Sequence, residues 1–170
     1  MNRLVLVMIC CCAPFALGFQ GTKVGMIDAD RIVQESNKGK AFLASLDEMS
    51  KNLKNDIQTK TGELQTLESD LKTKAVSLSE NNLRELENKV TGLRTEIQRM
   101  NSDAERKMET ALNDGLDVIR KEMIPIIRSV AIEKNLDLVL NLGPKSQVVY
   151  FHDRIDITDL VIEKYNETQK

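Results

Sequence analysis

The sequence has no tryptophan, two tyrosines and four phenylalanines in 170 residues. A core built from large aromatics within one chain is therefore excluded. The three cysteines, Cys10, Cys11 and Cys12, form one run near the start, and the single histidine, His152, has no second histidine with which to complete a metal site. No glycine-rich phosphate loop is present, because Gly18, Gly21 and Gly25 are not followed by a lysine in the required frame. Nucleophile-elbow motifs are missing, and Asp28 with Asp30, or Asp47 with Glu48, read as helix-start and surface charges rather than as acid and base partners. An enzyme, a cofactor and a small-molecule substrate all lack a candidate site. Charge of one sign is also lacking: 24 basic residues stand against 26 acidic ones, which gives no nucleic-acid footprint.

After Arg3 the chain runs uncharged and mostly apolar from Leu4 to Leu17, with Ala16 and Gly18 as small residues before a cut, so residues 1–18 read as a secretory signal peptide. A membrane anchor is the alternative, although the run is about four residues shorter than a typical spanning helix. A lipidated cysteine is a third reading, weakened by the Ile and Cys residues that precede each thiol. Cleavage after Gly18 removes every cysteine. The exported chain is then held by its core or by copies of itself rather than by disulfides.

What the sequence does have is about ninety residues with an apolar side chain every three or four positions, interrupted once by the polar stretch from Ser77 to Asn82. The first arm carries Phe42, Leu46, Met49, Leu53, Ile57, Leu64, Leu67 and Leu71. The second carries Leu83, Leu86, Val90, Leu93, Ile97, Met100, Ala104, Met108 and Ala111, and continues through Ile119, Met123, Ile126 and Val130. Alternating spacings of three and four make a narrow seam, which predicts two long helices folded back on each other. The first arm spans about 37 residues, or roughly 55 Å. The bend falls at Ser77-Leu78-Ser79-Glu80, either as a capping box from Ser77 to Glu80 or with Ser79 as the cap. Charges on the arms are intermixed, 14 basic and 16 acidic between Lys40 and Glu122, as on a solvated face with pairs such as Glu85 and Lys89.

The flanks read as a small α+β body. Lys23 to Asp28 alternates as a short strand, Asp28 or Asp30 caps a turn of helix, and Ser36 or Asn37 caps the first long helix. Pro125 predicts a kink or helix restart near residues 121–124. Beyond it, the helix stops at Asn135 in a left-handed conformation. Leu136 to Asn141 then reads as a strand, Gly143-Pro144-Lys145-Ser146 as a turn, Gln147 to Phe151 as another strand, and Ile157 to about Glu167 as a helix capped by Asp156. The expected organisation is a body of residues 19–37 and 126–170 and a helical hairpin arm of residues 38–125. So small a sheet needs strands from neighbouring subunits, which makes Val24, Met26, Leu138, Leu140, Val149 and Phe151 the candidate oligomerisation residues. Gly62, Gly92, Gly115 and Pro125 are candidate points of arm flexibility. Met49, Met100 and Met108 either fill gaps in the seam or offer adaptable contacts to clients of varied sequence.

The stretch V-G-M-I-D-A-D-R-I-V-Q-E-S-N-K-G-K from Val24 to Lys40 resembles the opening of the Skp (OmpH) family of periplasmic chaperones. The likeness continues through L-S-E-N-N-L-R-E-L-E at the tip to D-L-V-L-N, V-V-Y and D-I-T-D-L-V-I in the body, in the same order of elements. It implies a trimer whose body takes strands from all three subunits and whose three hairpins enclose a cavity. It also implies a periplasmic holdase that works without ATP, holds unfolded outer-membrane proteins and passes them toward the barrel-assembly machinery. The best-known members are strongly basic, whereas this chain has a pI near 5.6, so their lipopolysaccharide site is not carried over. A coiled-coil spacer or tether of the cell envelope is the alternative function.

Overall fold

The computed structural model describes residues 21–143 and 146–169. The leader, residues 1–18, lies outside them, as do Pro144 and Lys145 of the expected turn. In chain order the elements are strand β1 (Val24–Ile27), helix α1 (Ala29–Glu35), helix α2 (Asn37–Lys74), helix α3 (Glu80–Glu133), strand β2 (Leu138–Asn141), a 3-10 turn (Asp153–Ile155) and helix α4 (Thr158–Glu167). The class is α+β, a long antiparallel helical hairpin on a small mixed base.

Both long helices form where the seam periodicity places them. Along α2 and α3 the seam side chains other than Met49 are half-buried or buried, with Val90 and Leu93 well covered toward the tip and Ile119, Met123 and Val130 buried at the body, while most positions between them face solvent. The 38 residues of α2 give a rod of about 57 Å at 1.5 Å rise. Two helices alone cover only one stripe of each other, so most seam residues stay partly exposed and the rod has no enclosed core. Ion pairs cross between its helices, Arg94 to Glu68 at 2.6 Å and Lys60 to Glu96 at 3.8 Å, and Glu85 meets Lys89 at 2.7 Å. Exposed pairs of this kind add about 0–1 kcal/mol each. The two that cross fix register more than stability.

The helix ends follow their side chains. Asp28 accepts from the Arg31 amide at 2.9 Å and Ser36 from the Gly39 amide at 3.1 Å, capping α1 and α2. Asn135 takes φ 52°, and the Leu136 amide reaches back to the Ala131 carbonyl at 2.8 Å, which closes α3. At the tip Ser79 occupies the cap position of α3 without a side-chain bond, and the Ser77 hydroxyl donates to the Lys74 carbonyl at 2.9 Å. The capping box is thus replaced by a bond that finishes α2.

β1 and β2 pair in parallel, with Val24 opposite Leu138 and Met26 opposite Leu140. Parallel neighbours require a long crossover; the entire hairpin is that crossover. On its other edge β1 meets the chain at Asp156, where the Ile157 amide donates to the Met26 carbonyl at 2.9 Å. The core lies beneath, where Ile27, Ile32, Ile119, Met123, Val130, Ile157, Val161 and Tyr165 are buried together and Phe42 packs against them.

Three expectations change. Gln147 to Phe151 forms no strand: Val149 is 99 % exposed and Tyr150 82 %, and the stretch pairs neither with β1, which is flanked on both sides, nor with the open edge of β2. Pro125 neither ends nor restarts α3, which passes through it. Met123, Ile126 and Ile127 pack into the core on either side, and this burial outweighs a penalty of about 3 kcal/mol, while Lys121 and Pro125 face solvent. Gly115 differs from Gly62 and Gly92. A Cβ at either of the latter meets nothing within 4 Å, but at Gly115 it would lie 2.0 Å from the Phe42 ring, so this glycine is a seat for an aromatic side chain.

Candidate functional site

The surface that remains unsatisfied in one chain is the open edge and outer face of β2. Residues opposite each other in a parallel pair project to the same side, so Val24, Met26, Leu138 and Leu140 share one face. Val24 is half-buried and Met26 is 1 % exposed, covered within its own chain. Leu138 and Leu140 stand out at 47 % and 38 %. β2 has a neighbour only along β1 among the described residues, so its other edge presents free backbone donors and acceptors. Val149 and Tyr150 add exposed apolar surface and Phe151 is half-buried, but their segment is not paired with either strand. Four of the six candidate residues are thus brought together; Val149 and Phe151 stand apart. The arrangement can add a strand from another chain and cover leucines in the same step.

The base of the hairpin is stapled by residues that no local pattern links. Tyr165 on α4 is fully buried, and its hydroxyl donates to Glu122 Oε2 at 2.7 Å, while Glu122 Oε1 accepts from Lys38 Nζ on the first turn of α2. The Asn166 side chain accepts from the Asn37 amide at 2.8 Å, capping α2 from α4, and Lys164 pairs with Glu133. Bonds to Lys38 and then to Tyr165 hold the Glu122 carboxyl below its ordinary value. Burial first, and the Glu122 bond and charge second, push the Tyr165 phenol well above its own. Because the folded carboxyl is depressed, the staple's contribution is present above the ordinary glutamate value of 4.5 and is lost as pH falls through the lower folded value. Denaturant unfolding between pH 7 and pH 3 is expected to show the parent losing stability below about 4.5, with Glu122→Gln flattening that slope; identical slopes would contradict the assignment.

Along the arms, Met100 and Met108 are half-buried in the seam and Met49 is 37 % exposed. Thr61, Thr66, Thr91 and Thr95 each donate to the carbonyl four residues earlier, near the open Gly62 and Gly92. His152 accepts from the Arg154 amide at 3.2 Å and caps the 3-10 turn, a structural role. Among the described residues no three His, Cys, Asp or Glu side chains gather as a metal site, and no helix is long and apolar enough to cross a membrane.

Comparison with known proteins follows the same outline. A model of the family described as outer membrane protein (OmpH-like) matches residues 23–165, from the start of β1 to Tyr165. No curated protein matches. Among solved structures, the crystal structure of a candidate outer membrane chaperone (OmpH-like) from Caulobacter crescentus CB15 superposes with a TM-score of 0.77 at 20% identity, covering 89% of this chain and 92% of that one. At that identity the likeness is one of fold. The family match spans the strand pair, both arms and α4 as far as Tyr165, and the chain belongs to the OmpH-like (Skp) outer membrane protein family.

Proposed function

We propose that the protein is a periplasmic chaperone, a holdase that works without ATP and, as a homotrimer, encloses unfolded outer-membrane β-barrel proteins until they reach the barrel-assembly machinery. The observation that carries the reading is a rod of about 57 Å with no enclosed core, rooted in a body whose apolar strand edge is open. Family membership supports the chaperone role, as does the name of the Caulobacter protein that shares the fold. Export on the leader of residues 1–18 would put the chain in the periplasm.

In this reading Leu138, Leu140 and the Val149 to Phe151 segment meet the neighbouring subunits, while Met26 supports Leu140 from its own chain. Unfolded barrel proteins expose unpaired strands that aggregate. Three arms that each make weak contacts hold such a chain by multiplicity and release it without nucleotide, because each contact is individually easy to break. Met49, with Met100 and Met108 when the arms spread, supplies adaptable apolar contacts. The protein lacking residues 1–18 is expected to suppress aggregation of a urea-unfolded β-barrel protein after dilution, at near-stoichiometric trimer and without nucleotide. No suppression at several-fold excess would overturn the reading. A coiled-coil tether would bind one folded envelope partner and ignore unfolded chains.

A further inference from the structure

In the half of the arm nearer the body, the seam on α3 carries the small Ala111. Ala111 stands where Met49 and Leu53 of α2 face across, and the space no side chain fills is a groove of about 1080 Å³ between the helices. Its floor is Met49, Leu53 and Ala111. Its rim is charged on both sides, with Glu48 and Asp56 from α2 and Asp103, Arg106, Lys107 and Asp114 from α3.

The rim charges neutralise one another only in part. Arg106 is committed to Asp103. The cations that could serve the remaining acids are engaged elsewhere: Lys60, one turn beyond Asp56, with Glu63 and Glu96, and Lys51 with Asp47. Glu48, Asp56 and Asp114 are left against Lys107 alone, on arms where most other carboxylates have cations within reach. An apolar floor inside a rim of four carboxylates and two cations, net acidic, fits one kind of occupant.

We infer that this groove binds a segment of unfolded polypeptide in which a large apolar side chain is flanked by lysine or arginine. The apolar group enters between Met49 and Ala111, and the long basic side chains lie along the walls and bring their charges to Glu48, Asp56 and Asp114. The inference deepens the holdase reading and rests on it: it gives the arms a preference for basic stretches of the client, in keeping with the acidic balance of the chain.

The test uses the protein without residues 1–18 and two fluorescent peptides that share an apolar centre, one flanked by lysine and arginine and the other by glutamate. The basic peptide is expected to bind more tightly and to weaken in about 0.5 M salt. The combined variant Glu48→Gln, Asp56→Asn and Asp114→Asn is expected to lose affinity for it about tenfold, the sum of three exposed charge contacts. Ala111→Leu, which fills the floor, is expected to weaken both peptides. Equal binding of the two peptides, or unchanged affinity in the combined variant, overturns the inference. So does a change of solution mass in that variant, which would give the groove to a second copy of the chain. Suppression of client aggregation, measured alongside, separates the two readings. Peptide preference without suppression sinks the holdase and leaves the groove; suppression without preference does the reverse.

Discussion

Gly39→Ala is expected to lower the stability of the body by about 3 kcal/mol, at the upper end of what added methyl groups cost in packed sites. A Cβ at this position would lie 1.8 Å from the Val33 carbonyl oxygen and 2.8 Å from Ser36 Oγ. Neither neighbour is the far end of a flexible side chain. The carbonyl belongs to α1, and the hydroxyl is already bound to the Gly39 amide as the cap of α2, so the added methyl pushes α1 off the hairpin and breaks the cap together. Gly115→Ala is expected to cost about 1–3 kcal/mol, because the ring it displaces, Phe42, can move only against the core. Gly62→Ala and Gly92→Ala meet open space and are expected to gain about 0.5–1 kcal/mol each. Urea unfolding of the four variants checks the account through its signs. A destabilised Gly62→Ala, or a neutral Gly39→Ala, would contradict it.

The same four glycines show where sequence is informative. Helical arms are legible because a period of three and four is a property of the chain itself, and every predicted seam position of α2 and α3 but Met49 is half-buried or buried. Caps are legible for the same reason: Asp28, Ser36 and Asn135 act within a few residues of themselves. What distinguishes Gly39 and Gly115 from Gly62 and Gly92 is the approach of another element, which has no local trace. The staple of Lys38, Glu122 and Tyr165 joins residues 84 and 43 positions apart and was invisible on the same ground. At Pro125 the penalty that predicts a helix restart is local, whereas the burial that carries α3 on through it is not. Gln147 to Phe151 carries a strand pattern, but a strand is completed only by a neighbour, and one chain does not provide it.

That missing neighbour sets the second large effect. Leu138→Asp and Val149→Asp are each expected to reduce the solution mass from three chains to one. In the single chain Leu138 is 47 % exposed and Val149 99 % exposed, so an aspartate at either place is solvated and the monomer keeps its fold. In a body assembled through β2 and the following segment, the same carboxylate would be buried without a partner, at a cost of several kcal/mol repeated at every interface. Circular dichroism that retains the helical signal while light scattering falls to one chain would separate lost assembly from lost folding. An intact trimer in both variants would show that these residues lie outside the interface.

The most direct measurement is the mass in solution of the protein lacking residues 1–18, alone and after mixing with one urea-unfolded β-barrel protein. Three chains alone, and a complex of three chains with one client, are the expected result. A single chain that elutes apart from the client would contradict it.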